Sequence, residues 1–501
     1  MAERGRRGRT ASPPSAPPVV YAEASVRSVA GVSLFETGRP VTSETITGFY
    51  SDPVLVSAAA QRLLAEGFDV LAAGNATLNI AAPSEVYERV FRTRIVPEER
   101  EVIREFGEVA TATFLDCPDT PIPGLIDPGE SPLADVLEGV ALNEPVYYFQ
   151  GPWPIPPPVD YWHLDVPADV SLATGADRAH RAGFTGRGIR VVMVDSGWYA
   201  HPYFFYRGYR VNPTVLGPAT SAPTHDEHGH GTGESANVFA VAPEVEFTMV
   251  KMNFVNSVGA FNAAVALRPH VISCSWGSSK RNPPLSAGDQ ALAAATADAV
   301  RQGIVVVFSA GNGHWGFPGQ HPDVISAGGA FLGPDGSVEA TPYASAFRSN
   351  IYARRDVPDL CGLVGLPPRA IYLRLPVEPG NHLDRDLAGG SHPKGDETQP
   401  NDGWAGFSGT SAAAPQLAGA CALLRQACPH LSPGEVRGIL QATARDVLAG
   451  AGHPDTGGHA AGPGPDLATG AGLVDAYPAS MMAAFRCLTS HLAPAWGWAY
   501  S

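Results

Sequence analysis

The chain has 501 residues, of which 44% are hydrophobic and 17% charged, and its formal net charge is −15 at pH 7. That much apolar material excludes wholesale disorder, and the length calls for two to three units or one large domain with appendages. The acidic balance argues against nucleic acid or an anionic membrane as main partner, because both reward basic patches.

The first residues, MAERGRRGRTASPPSAPP, are basic but lead into no apolar core of a signal peptide, and no apolar run is long enough to span a bilayer. Six cysteines, at 117, 274, 361, 421, 428 and 487, form no C-x-x-C pair. A disulfide framework is therefore not expected, and a cytoplasmic location is. Residues 1–25 read as a disordered tail. A compact unit follows over 26–125. SDPVLVSAAAQRLLAEG (51–67) has a capping Ser/Asp, Pro53 in its first turn, one apolar face and Gly67 to stop it. FDVLAAGNATLNIAA reads as two strands around a Gly-Asn turn, and SEVYERVFRT as a second helix with Val86, Tyr87, Val90 and Phe91 inward. Helix, hairpin, helix predicts a small α+β, ferredoxin-like βαββαβ unit. Beyond residue 118 the chain turns Pro-rich and acidic, and 126–165 is expected to be an extended linker.

Over 166–485 apolar runs alternate with helical stretches: RVVMVD (190–195), EFTMVKM (246–252), HVISCSW (270–276) and IVVVFSAGN (304–312). This pattern predicts an α/β domain with a parallel sheet covered by helices on both faces. Ligand sites in such sheets lie beyond the carboxyl ends of the strands. Three of those ends read Asp195-Ser-Gly, Ser275-Trp276-Gly277 and Ala310-Gly311-Asn312. Residues 486–501 are left as a C-terminal tail.

Acyl transfer to a serine needs a base, a carboxylate to orient it and donors for the oxyanion. Asp195 ends a buried strand, His230 lies in Gly-His-Gly-Thr, and Ser411 opens an apolar helix in GFSGTSAAAPQLAGACALL, where Pro415 fits the first turn. The side-chain amide of Asn312 and the backbone N–H of Ser411 would serve as oxyanion donors. Taken singly, each has a bland explanation: a strand-end turn for Asp195, a helix cap for Ser411, a turn amide for Asn312. A metal cluster at His225, His228 and His230 is a further alternative, although no carboxylate or cysteine stands at conventional ligand spacing. The order Asp, His, Ser along the chain is the one found in subtilisin.

With these motifs together, the chain resembles the subtilisin-like serine peptidases, from about residue 161 to 480. The resemblance implies peptide hydrolysis in which Ser411 attacks, His230 carries the proton, Asp195 holds the imidazole and Asn312 helps to bind the oxyanion. It implies that VISCSWGSS contributes the edge on which a peptide substrate adds as a strand, and that Ser275, Trp276, Gly277, Ala310 and Gly311 line the substrate site. The N-terminal unit resembles the propeptides of such enzymes. It is expected to act as an intramolecular inhibitor, with the Pro-rich tail around 145–165 passing toward the site.

Three departures stand out. Gly233-Glu234-Ser235 follows His230-Gly-Thr where the family usually has His, Val and Ala; an acid one turn beyond the base could raise the pKa of His230, but Glu234 is expected to face solvent. Only ANVFAVAP separates that helix from the next strand, which leaves no room for the loop that holds calcium in many relatives, so neither calcium nor any other cofactor is expected. Residues ~345–405 form a long insertion, expected to be a solvated loop, with a lid or a cation-binding loop as alternatives. The rival family is the sedolisin type, in which a glutamate replaces the histidine and an aspartate the oxyanion asparagine; a non-catalytic peptide-binding protein of the same fold is the rival class.

Overall fold

The computed structural model describes residues 15–35, 40–103, 109–118, 120–148 and 161–492. The N-terminal unit is built from β1 (Val20–Val26), α1 (Pro53–Ala65), β2 (Asp69–Ala73), β3 (Thr77–Ala82), α2 (Ser84–Phe91), a hairpin of β4 (Val96–Ile103) and β5 (Val109–Asp116), then β6 (Leu125–Ile126) and β7 (Leu137–Leu142). The carboxylate of Asp52 accepts the Val54 N–H at 2.7 Å and starts α1 one residue before Pro53, a donor the helix itself cannot satisfy. The sheet order is β2-β3-β1-β7-β6. Its first four strands with the two helices make the βαββαβ arrangement, into which the β4–β5 hairpin is inserted.

Two boundaries differ from the expected ones. β1 starts at Val20, inside the segment read as a disordered tail, of which residues 1–14 lie outside the described residues. β7 lies inside the segment read as a linker and pairs with β1, Ala22 opposite Leu142. The apolar residues of β7 are only four long, and Pro and Asp nearby hide them. What makes the strand is its partner β1, already half-paired with β3. The rest of the expected linker, 149–160, lies outside the described residues.

The second unit is organised on a ten-stranded sheet. After β8 (Tyr147–Tyr148) come β9 (Arg190–Asp195), α3 (His230–Val241), β10 (Glu246–Lys251), α4 (Ser257–Ala266), β11 (Val271–Cys274), β12 (Trp276–Ser279), α5 (Ala287–Arg301), β13 (Val305–Ser309), β14 (Ile325–Leu332) and β15 (Leu360–Leu363). β10, β9, β11, β13, β14 and β15 pair in that order, all parallel. Strand residues alternate between two cores as the pleat requires. Val191, Met193, Phe247 and Val307 pack with α3 and with α6 (Thr410–Ala427) on one side. Val192, Val194, Ile272 and Phe308 pack with residues of α4 and α5 on the other. Both faces are covered, as the continuous apolar strands predicted.

Residues 345–405 are not a solvated loop. They include β15, β16 (Leu373–Pro376), a short helix at His382–Leu387 and, at their end, β17 (Trp404–Phe407), which pairs antiparallel with β16. Leu373, Leu375, Val377, Leu383 and Leu387 are buried in the core that holds α3. The hydrophilic stretch PGNHLDRDLAGGSHPKGDETQPNDG carries few apolar residues, but two of them, Leu383 and Leu387, are buried along with Leu373, Leu375 and Val377 before it. The expected C-terminal tail is also partly ordered: the last helix, Ala476–Leu492, runs into it, and 493–501 lie outside the described residues.

The two units meet along α4 and α5. Ala287, Ala291, Ala294 and Ala297, one face of α5, are packed against Leu34, Phe35, Ile46 and Phe49 of the N-terminal unit. Beside them lies a buried polar seam in which Asn79 of β3 donates to Glu23 at 2.6 Å and exchanges hydrogen bonds with Asn256, the residue before α4, at 2.8 and 3.1 Å.

Candidate active site

Asp195 closes β9 with its carboxylate wholly buried. Its Oδ1 accepts the Ser196 N–H at 2.7 Å and faces Nδ1 of His230 at 2.8 Å. With an ionised carboxylate as acceptor, Nδ1 carries the proton and Nε2 is left as the basic nitrogen. His230 opens α3, and the glycines around it answer to steric demands. Gly229 sits at φ 101°, and a Cβ there would collide with the side chain of Asn381. The α3 start is fastened by a residue that the sequence reading missed. Buried Asp226 accepts Ser196 Oγ at 2.7 Å, Gly229 N–H at 2.9 Å, Thr232 N–H at 2.8 Å and Thr232 Oγ1 at 2.7 Å. An acid three residues before the Gly-His pair, just ahead of a helix, was the available signal.

Ser411 lies in the first turn of α6, after Gly409 at φ 121°. Its Oγ donates to the Ser275 carbonyl at 3.2 Å, and Ser275 Oγ donates to the Ser411 carbonyl at 2.8 Å. This reciprocal pair joins the start of α6 to the junction of β11 and β12. Phe407, at the end of β17 and four residues before Ser411, lays its ring 6.4 Å from that of His230.

Asn312 follows β13. Its Oδ1 accepts Thr410 N–H at 3.0 Å and Thr410 Oγ1 at 3.1 Å, which fixes the carboxamide plane. Its Nδ2 is buried and has no hydrogen-bond partner among the described residues. A donor held this way is suited to an incoming oxygen. The loop around it is tied down internally: Ala310 N–H to Ala327 at 2.9 Å, Gly311 N–H to Thr410 Oγ1 at 3.2 Å, and Ser345 N–H to the Gly311 carbonyl at 2.8 Å. Next to it His314 is fully buried, and desolvation lowers its pKa to about 4 against the opposing effect of the backbone of Ile103 at the end of β4, so it stays neutral.

The edge of β12 is occupied by the chain itself. β8 pairs antiparallel with it, Trp276 opposite Tyr148 and Gly277 opposite Tyr147. Val146 donates its N–H to the Phe254 carbonyl at 3.1 Å and buries its side chain in the core that contains Trp276 and Phe308. Trp276 presents only backbone to this edge, because its indole donates to the Val194 carbonyl at 2.7 Å and stands edge-on to Phe308.

Glu234 does not face solvent. It is completely buried, since α3 is enclosed by α6, by β16 and by the end of β17, which sets Phe407 against Gly233. Burial pushes the Glu234 carboxyl up to about 8, against the opposing pull of His230. The three clustered histidines diverge: His225 pairs with Glu378 at 2.7 Å, while His228 stacks edge-on with His382. Among the described residues no group of three or more His, Cys, Asp or Glu is placed to hold a metal ion.

Several known proteins are similar to this chain in sequence or fold. The chain is 26% identical over 292 residues to alkaline elastase YaB of Bacillus sp. (strain YaB), a stretch covering 54% of this chain and 62% of that protein, so that just under two thirds of the relative is matched. It is 26% identical over 295 residues to subtilisin Savinase of Lederbergia lenta, covering 54% and 89%. The crystal structure of fervidolysin from Fervidobacterium pennivorans, a keratinolytic enzyme related to subtilisin, shares the fold over 95% of this chain and 62% of its own, with a TM-score of 0.54 at 16% identity. The profile of the subtilase family matches residues 186–359 and 375–472, more than half of the chain and the stretch that holds Asp195, His230, Asn312 and Ser411, and the chain accordingly belongs to the subtilase family.

Proposed function

We propose that the protein is a serine endopeptidase that cuts peptide bonds through Asp195, His230 and Ser411 and is held in check by its own N-terminal unit. The observation that carries this reading is the strand on the β12 edge: a peptide segment, β8, adds antiparallel to the edge expected to take substrate, next to the Ser275 carbonyl that holds Ser411 Oγ. Backbone pairing of this kind accepts varied side chains.

In the reaction, Nε2 of His230 takes the proton of Ser411 Oγ as the oxygen attacks the carbonyl carbon, and Asp195 stabilises the resulting imidazolium without accepting its proton. Charge building on the carbonyl oxygen is met by Asn312 Nδ2 and by the Ser411 N–H at the positive end of α6. The imidazolium then protonates the leaving amine, and water repeats the sequence on the acyl-enzyme. In the intact chain the same cleft is filled: β8 covers the β12 edge, and the β4–β5 hairpin reaches the oxyanion loop at His314. The inhibited state follows from occupancy, since a substrate strand needs the backbone groups that β8 already uses.

The test compares the full chain with its Ser411→Ala form. A fluorophosphonate probe should label the first and not the second, and on incubation only the first should yield a fragment beginning near 150–170. Equal labelling of both forms would remove Ser411 as nucleophile. Labelling without cleavage would leave the peptidase and withdraw self-processing.

A further inference from the structure

The hold of β8 on β12 extends beyond the two residue pairs of the ladder. We propose that Lys280, just past the end of β12, is an acid-recognising subsite: it binds an acidic side chain on whatever strand lies along that edge, Glu144 of the chain itself while β8 is in place and an acidic residue of a peptide substrate when β8 is not. The substrate half rests on the peptidase reading; the recognition of Glu144 does not.

The strand register leads to the pair. Trp276 lies opposite Tyr148 and Gly277 opposite Tyr147, so the same antiparallel course carried outward sets Val146 against Ser278 and Glu144 against Lys280. Side chains two apart on a strand share a face, so 276, 278 and 280 look the same way as 148, 146 and 144. The burial of Val146 agrees, because its side chain lies in the core that contains Trp276. Glu144 then meets Lys280 as a cross-strand pair of opposite charge, its Oε2 accepting from Nζ.

The subsite is built from the catalytic unit. The Lys280 N–H donates to the Trp315 carbonyl at 2.8 Å, and the Lys280 carbonyl accepts from Gln320 Nε2 at 2.8 Å. Its ammonium lies 2.9 Å from the carboxylate of Asp289 in α5, which is itself fixed by the capping bond from Ser286 Oγ at 2.9 Å. All these partners stay when β8 is withdrawn, whereas Glu144 belongs to the strand that leaves. An ammonium has three donors, and Asp289 takes one. Side-chain exposures of 20% for Lys280 and 11% for Glu144 put the pair under cover, unlike an ion pair at an open rim, which is worth little. Burial opposes the charge on Lys280, but Asp289 and Glu144 outweigh it and raise its pKa, so the lysine is a cation at any working pH. A neutral residue at this register leaves a partly desolvated cation without its second acceptor, and a basic one adds repulsion. The strand that fits therefore carries a carboxylate four residues before the position facing Trp276.

Two measurements test this at pH 8, where the upward push of burial on the Asp289 carboxyl still leaves it ionised. In the full chain carrying Ser411→Ala, amide exchange over 146–148 should speed up at least ~fivefold with Glu144→Gln and likewise with Lys280→Gln, the double variant exchanging no faster than either. In the active full chain, a synthetic peptide of residues 142–170 should be cut with kcat/KM at least ~fivefold above that of its Glu144→Gln copy. Occlusion by β8 lowers both rates by one factor and cancels from this ratio. Lys280→Gln should bring the ratio to one; should that variant not fold, Glu144→Gln in the chain and the peptide pair on wild type still decide. Exchange unchanged by Glu144→Gln, or a wild-type ratio of one, would overturn the proposal. Faster exchange with no Ser411-dependent hydrolysis of either peptide would fail the peptidase reading while upholding recognition of the acid by Lys280.

Discussion

The carboxamide of Asn312 is held through its oxygen, which suits its nitrogen to the oxyanion role proposed above. Thr410 takes up its oxygen twice, and the nitrogen is left for a ligand. Asn312→Ala should lower kcat by ~10²–10³-fold with KM nearly unchanged, because the contact strengthens only as the oxyanion forms. Steady-state kinetics on a chromogenic peptide measures the split; a rise in KM alone would make Asn312 a ground-state binder. At this scale the sequence was legible where chemistry coincides with an element boundary. Asp195 ends a strand, Ser411 starts a helix, and Asn312 follows a strand, so motif and position reinforced each other. Asp226 and Glu234 were not legible in the same way. The role of each depends on what covers α3: Asp226 becomes a fourfold acceptor only because Ser196 is brought to it, and Glu234 is buried only because a distant segment packs over the helix.

Elements were read well where apolar residues run continuously, as in β9, β10, β11 and β13, since burial on both faces leaves little else for such runs to be. β7 and β16 were lost because each is four to six residues long and owes its existence to a neighbour in the sheet rather than to its own pattern. β1 carries a feature with a measurable consequence. Its Glu23, fully buried in the seam against Asn79 and Asn256, is raised by desolvation from 4.5 to about 7. The folded state thus binds a proton more tightly than the unfolded one. Stability from this group is fully present below about 4.5 and is lost as pH rises through about 7. Glu23→Gln should therefore reduce the fall in melting temperature between pH 5 and 8, as read by calorimetry. An unchanged pH dependence would show that other groups govern it.

For the molecule as a whole, the docking of two units is set by an alanine face. Small side chains on α5 let the N-terminal unit come close enough for Leu34, Phe35, Ile46 and Phe49 to be buried at the contact. Ala294→Glu would place an unpaired carboxylate there, a costly burial that separation of the units relieves. The N-terminal unit should then be cut faster in limited proteolysis, and probe labelling of Ser411 should rise; protection equal to wild type would mean that the seam and β8 suffice to hold the units together. The alternating helices and strands announced the α/β class, while the joint between the units stayed hidden, because DQALAAATADAVRQG reads as an ordinary helix until a partner is laid against it.

The strand on the β12 edge also fixes the arithmetic of release. On the proposed reading, while β8 remains covalently joined to the catalytic unit its pairing with β12 is intramolecular, so its effective concentration at the cleft far exceeds that of the protein itself and even feeble pairing would keep the cleft filled. Severing the backbone beyond β8 turns that captive ligand into a dissolved one, diluted to the concentration of the protein itself. Full activity would then appear by dilution, once the severed unit falls below its own dissociation constant, with no rearrangement of the catalytic groups.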